Sequence, residues 1–193
     1  MTIDDLYSKI YPIQDPDLKR ELMTCTEIRR LVKNEFLTYQ EETDEFLCFL
    51  KSGVIGTFEL FPDGRTVCLS VTDCPGGIVV GGLGPNDIYS PVNIMALTRV
   101  ELFAVRMTEM QHLLAVYPEI QSFYNHILMK AYEEQWQVKN MLYMEDARER
   151  YEWFIDHHPG TVEKINHKTI ASYLRMSPVT FSRIRHDWKG KRR

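Results

Sequence analysis

The sequence has no apolar run long enough to cross a bilayer, and its first residues, Met1 to Asp5, are acidic rather than basic. Neither a membrane span nor a secretory leader is expected, and the simplest placement is cytoplasmic. Cysteine is scarce: Cys25, Cys48, Cys68 and Cys74 form no C-x-x-C pair, and no histidine is close enough in sequence to complete a metal site. Free thiols are the ordinary reading, and a redox or iron–sulfur role is unsupported. The six histidines (His112, His126, His157, His158, His167 and His186) make no nucleophile–base or metal pattern, so neither catalysis nor a metal site is expected. Internal repeats are missing, and the one biased tract is the basic tail Lys189–Arg193. What remains is ordinary: 193 residues, 44% hydrophobic and 26% charged, enough for one large domain or two small ones.

Charge is distributed unevenly. Lys164–Arg193 holds nine Lys/Arg and one acid, Asp187, whereas the rest holds fourteen Lys/Arg against twenty-six Asp/Glu. A basic end on an acidic chain is the electrostatic footprint of a phosphate-binding module. Within it, Ile170, Ala171 and Leu174 give one short helix an apolar face, and Phe181 and Ile184 give a second helix another at i, i+3 spacing. Between them Ser177 is a strong N-cap, Pro178 suits the first helical position, and Arg183 and Arg185 are left pointing outward. The pattern predicts a helix-turn-helix whose second helix enters a DNA major groove. An ordinary helical hairpin is the bland alternative, disfavoured by the charge.

Upstream, residues 2–34 read as short helices broken at Pro12 and Pro16. From Glu35 to Val105 the character is β: short runs at 36–39, 45–50, 54–60, 66–71, 78–80 and 100–105 are bounded by Gly- and Pro-rich punctuation, with Asp63-Gly64 a strong hairpin signal. This predicts a compact all-β barrel or sandwich. Met107–Leu114 reads as a short helix, and Pro118 opens a long one. Along it Ile120, Tyr124, Ile127, Ala131, Glu134, Val138 and Met141 fall on four-and-three spacing, with Glu134 alone polar. That is the seam of a coiled coil, whose economical partner is the same helix of a second chain; packing on its own β domain is the alternative. Glu145–His157 reads as a further helix stopped by Pro159-Gly160.

A small β-roll, a long dimerising helix and a C-terminal helix-turn-helix resemble the Crp/Fnr family of bacterial transcription regulators over nearly the whole chain. The resemblance is most specific in Lys168–Arg185, where Ile170–Leu174 and Phe181–Arg185 look like the version found in many Bacteroidetes-type members. Phe46–Gly53, Asp63-Gly64-Arg65 and Glu149-Arg150-Tyr151 resemble it more weakly. It implies an α+β fold with a cyclic-nucleotide-binding-like β-roll (jelly roll) and N-terminal helices over 1–115, a dimerisation helix over 116–143 and a DNA-binding helix-turn-helix over 144–193. Its base-reading positions fall on Pro178, Val179 and Arg183, its phosphate-contacting hydroxyls on Ser177, Thr180 and Ser182, and Lys168 starts the supporting helix. Arginine can hold guanine O6 and N7 with two bonds, so Arg183 is the foremost base reader. Arg175 stands where a glycine is usual.

The same resemblance places Gly81 and Gly82 at the Gly-Glu end of the family's nucleotide pocket and Ser90-Pro91 at its Arg-Ser pair. Between Gly76 and Thr98 there is no Lys or Arg, so a buried cyclic phosphate lacks its cation, and cyclic AMP is not expected to bind in the usual way. Gly81–Gly84 could offer backbone N–H groups to some anion, or be turns only. With only Cys25 in the first forty residues, an oxygen-sensing cysteine cluster lacks its ligands. The expectation is a homodimeric regulator of a palindromic double-stranded DNA operator, with no cofactor, an unknown small-molecule effector and contact with RNA polymerase. The alternative is a ligand-binding or protein-interaction module that no longer reads DNA.

Overall fold

The structure, a computed structural model, describes residues 1–43, 45–81 and 89–191. The chain opens with the short helix α1 (Ile3–Asp5), closed by a capping box between Thr2 and Asp5, and runs on through a π-helical turn at Leu6–Ile10. Helix α2 (Pro16–Cys25) starts at Asp15, whose carboxylate accepts from the N–H groups of Asp17 and Leu18.

Eight strands follow among the described residues: β1 (Glu27–Leu31), β2 (Phe36–Thr38), β3 (Phe46–Ser52), β4 (Ile55–Leu60), β5 (Thr66–Thr72), β6 (Ile78–Val79), β7 (Asn93–Ala96) and β8 (Val100–Arg106). They form two antiparallel four-stranded sheets, ordered β1-β8-β3-β6 and β2-β7-β4-β5. The hairpin expected at Asp63-Gly64 joins β4 to β5, with Leu60 opposite Thr66; Gly64 holds φ +82°, and Asp63 accepts from the Arg65 N–H. Two strands depart from the sequence reading. Glu27–Leu31, expected to be helical, pairs antiparallel with β8 from Glu27–Ala104 to Leu31–Val100. Asn93–Ala96, not among the strand-like runs read from the sequence, lies between β2 and β4.

Between the sheets lies a core of Leu31, Cys48, Leu50, Ile55, Ile94, Val100 and Leu102. The outward face of the first sheet carries a second core, in which Leu47, Phe49 and Phe103 meet Leu6, Tyr7, Tyr11 and Leu22 from the N-terminal helices. Helix α3 (Met107–Val116) and the long helix α4 (Glu119–Leu142) complete it with Met110, Leu113, Ile120, Phe123 and Ile127. Glu119, in the first turn of α4, accepts from the N–H groups of Gln14 and Asp15 at 2.6 and 2.7 Å, fixing that end against α2.

Helix α5 (Ala147–His157), a 3-10 turn (Thr161–Glu163), α6 (His167–Tyr173) and α7 (Pro178–Lys191) make the C-terminal unit. Asp146 caps α5, and Gly160, at φ +75°, turns the chain after it. A third core joins this unit to the outward face of the second sheet: Val54, Phe58, Cys68 and Val71 pack with Met141, Tyr151, Phe154, Ile170, Leu174 and Phe181. Among the described residues no helix is long and apolar enough to cross a membrane.

Candidate functional site

Helices α6 and α7 are held at a fixed angle by their own apolar faces and by one arginine. Ile170, Ala171, Leu174 and Phe181 are buried together, and the Tyr151 ring meets Phe181 edge-on at 5.6 Å. Arg150, on α5, donates from Nε to the Leu174 carbonyl at 2.9 Å and also reaches the Met144 and Glu145 carbonyls, satisfying the end of α6. Asn166 caps α6, and Ser177 caps α7 by accepting from the Thr180 N–H at 3.0 Å. Between the helices Arg175 sits at φ +52°, the left-handed conformation that explains why glycine is usual there.

Pro178, Val179, Ser182, Arg183 and His186 line one concave, solvent-open face of α7. Val179 is 69% exposed, and Arg183 makes no hydrogen bond or ion pair among the described residues. Lys168 and Ser177 are also exposed, while the Thr180 hydroxyl lies 2.8 Å from that of Ser177 and shares in the cap. Arg185 departs from the outward position expected of it. Its guanidinium turns back to Glu163, at 3.0 Å, with the side chain 22% exposed, so it ties α7 to the 3-10 turn and lies off the open face. His186 takes the place on that face that the sequence reading gave to Arg185. The helical spacing 178, 179, 182, 183 and 186 could have found it.

The expected dimer seam on α4 also requires correction. Ile120 and Ile127 are fully buried in the core of their own subunit, Met141 is buried under the C-terminal helices, and Ala131 and Val138 pack at the edges of the same cores. Tyr124 is half-buried and engaged within the chain. These side chains are therefore spent within the subunit. The opposite face of α4 carries Met129, Tyr132, Trp136 and, just past its end, Tyr143, each between 49% and 75% exposed. They too recur at three- and four-residue multiples, and Tyr132 stacks on Trp136 at 6.3 Å.

A polar cluster joins the roll to the C-terminal unit. His158 Nδ1 donates to Asp73 Oδ1 at 3.1 Å, Thr161 Oγ1 donates to Asp73 Oδ2, and the Cys68 N–H donates to Ser172 Oγ at 3.0 Å. Burial alone would raise the Asp73 carboxyl's pKa; the bonds from His158 and Thr161 outweigh it and hold the value below the ordinary one. Beside this cluster is a cavity of about 580 Å³, walled by β5, the end of β6, α4 and α5. Of the four residues expected to line a ligand pocket, Gly81 does so. Ser90 is buried with its hydroxyl donating to the Val92 carbonyl, Pro91 is exposed away from the cavity, and Gly82 lies outside the described residues. Burial raises the Cys68 thiol to a pKa of about 12, so it is inert at neutral pH.

A double-sheet roll, a long helix beneath it and a C-terminal helix-turn-helix define the fold of the Crp/Fnr regulators. The solved structure of FixK2 from Bradyrhizobium japonicum shares it with a TM-score of 0.74 and 14% identity, over 86% of this chain and 85% of that one. The c-di-GMP responsive global regulator CLP of Xanthomonas campestris superposes with a TM-score of 0.71 at 16% identity, covering 92% and 93% of the two chains. A transcriptional regulator of the crp/fnr family from Eubacterium rectale, so described, gives 0.68 at 13% identity, covering 92% and 84%. At such identities the likeness is one of fold. No protein-family model and no curated protein matches the sequence.

Proposed function

We propose that this chain is a sequence-specific DNA-binding transcription regulator of the Crp/Fnr type, acting as a homodimer. Residues 144–193 read DNA, 116–143 join two copies and 1–115 form the sensor. The observation that carries the reading is the open face of α7, where the uncommitted Arg183 guanidinium stands beside Ser182 and the apolar Pro178 and Val179. A helix presenting such a face suits a major groove, Arg183 suits guanine, and Val179 suits a thymine methyl. Two copies joined through the exposed face of α4 would read half-sites roughly 34 Å apart on a palindrome.

The signal is not cyclic AMP in the family's usual mode. The Ser90 hydroxyl is already bonded, and Lys130 is the sole Lys or Arg among the described residues lining the cavity. Micromolar cyclic AMP binding by calorimetry would overturn this.

The direct experiment is selection of bound DNA from a random pool, followed by gel shifts with Arg183→Ala. The variant should relax preference at one base pair of each half-site, costing about 1–3 kcal/mol per contact. Unchanged affinity and preference would refute the assignment. Binding by the wild-type chain should weaken steeply with salt.

A further inference from the structure

Glu134 is the one acidic position in the otherwise apolar seven-residue spacing from Ile120 to Met141. The structure places it half-buried in the wall of the cavity between the β-roll and the C-terminal unit. It makes no hydrogen bond or ion pair among the described residues. Lys130, one turn earlier, lies 4.9 Å from the Tyr11 ring centroid and forms no ion pair with Glu134. The neighbouring acid Asp73 is already committed to His158 and Thr161.

We infer that this cavity is a binding site for a small organic cation, an amine carried on an apolar or aromatic body, with Glu134 as its counter-ion. A carboxylate withdrawn from water without a partner is costly, and an ammonium group beside it would offset that cost. Burial pushes the Glu134 carboxyl above its ordinary value, with Lys130 and His158 opposing, as expected of an acid still lacking a close donor. Aromatic walls support the same ligand class. Trp153, stacked on His157 at 4.1 Å, and Tyr173 line the cavity, and ring faces attract cations. About 580 Å³ suits a molecule of metabolite size. With Asp73 held by His158 and Thr161, an anion would still meet the Glu133 and Glu134 carboxylates against the single ammonium of Lys130, so the charge preference is the reverse of a phosphate site.

The walls come from both β5 and α5, so an occupant touches the roll and the DNA-binding unit at once. A regulatory effect rests on the proposed DNA-binding function; binding of the cation does not.

The test is calorimetry on the intact protein with putrescine, agmatine and benzylamine, against benzyl alcohol and adenosine monophosphate. At least one amine should bind once per chain. Glu134→Gln should weaken it on the order of tenfold or more, and benzyl alcohol should not bind. Should Glu134→Gln fail to fold, Lys130→Gln, which removes the rival cation, should bind the amine at least as tightly as wild type. The proposal falls if none of the three amines binds, if Glu134→Gln binds like wild type, if Lys130→Gln binds more weakly, or if the monophosphate is preferred. Operator retention by amine-free protein reports separately on DNA reading, so failure of one is distinguishable from failure of the other.

Discussion

Asp73, just past β5, and His158, just past α5, are eighty-five residues apart in sequence and joined by a 3.1 Å hydrogen bond. With Thr161 on the second carboxylate oxygen, this bond fastens the C-terminal helices to the roll. Asp73→Ala leaves the buried His158 and Thr161 without their acceptor and should cost about 2–4 kcal/mol. Asp73→Asn, which keeps one acceptor oxygen, should cost less. Denaturant midpoints measure both; equal stability of Asp73→Ala and wild type would contradict the arrangement.

The same carboxyl fixes a pH dependence. Its folded value lies below the ordinary 3.8, so its contribution is fully present above the unfolded value and is lost as pH falls through the folded one. The groups facing it are His158, Thr161 and, farther off, Lys164. The stability difference between wild type and Asp73→Asn should therefore persist down to about pH 4 and shrink below it. Parallel titrations down to about pH 2.5 test this.

Two arginines two positions apart should behave differently. Arg183→Ala should alter operator preference and leave the melting temperature nearly unchanged, since its side chain is uncommitted. Arg185→Ala removes the tie to Glu163, should lower stability by roughly 0.5–2 kcal/mol, and should leave base preference intact. A shifted binding motif from Arg185→Ala would reverse these roles.

Opposite faces of α4 should separate folding from the proposed association. Ile127→Ala opens a void in the core and should cost about 2–5 kcal/mol. Trp136→Glu lies on the exposed stripe and should preserve the fold while shifting sedimentation from dimer to monomer. A Trp136→Glu protein that remains fully dimeric would place the interface elsewhere.

Arg175→Gly should relieve the left-handed strain between α6 and α7. The unfolded chain's added freedom offsets part of the gain, leaving a net stabilisation of up to about 1 kcal/mol.

The helix-turn-helix was legible because its signals are local: the Ser177 cap, Pro178 beside it, and apolar residues three and four apart. β1 was not. Ile28, Leu31 and Val32 carry helical spacing, yet the strand is decided by pairing with β8, some seventy residues away. β7 was hidden because Asn93–Ala96 is short and lacks a turn dipeptide. On α4 both faces carry apolar residues at heptad multiples, and sequence alone does not tell which one meets the subunit's own core. The Arg185–Glu163 and Asp73–His158 pairs depend on distant elements meeting, which no spacing rule encodes.

One contact has a consequence for solubility. β5 is the outer strand of its sheet, and Ser172 accepts from the Cys68 N–H along it. When α6 lifts away, that N–H is exposed as a template for strand addition by another copy, flanked by Val67, Leu69 and Val71. Any swing of the C-terminal helices away from the roll therefore uncovers an aggregation-prone ribbon, so the protein's lifetime at high concentration should track how firmly those helices stay docked.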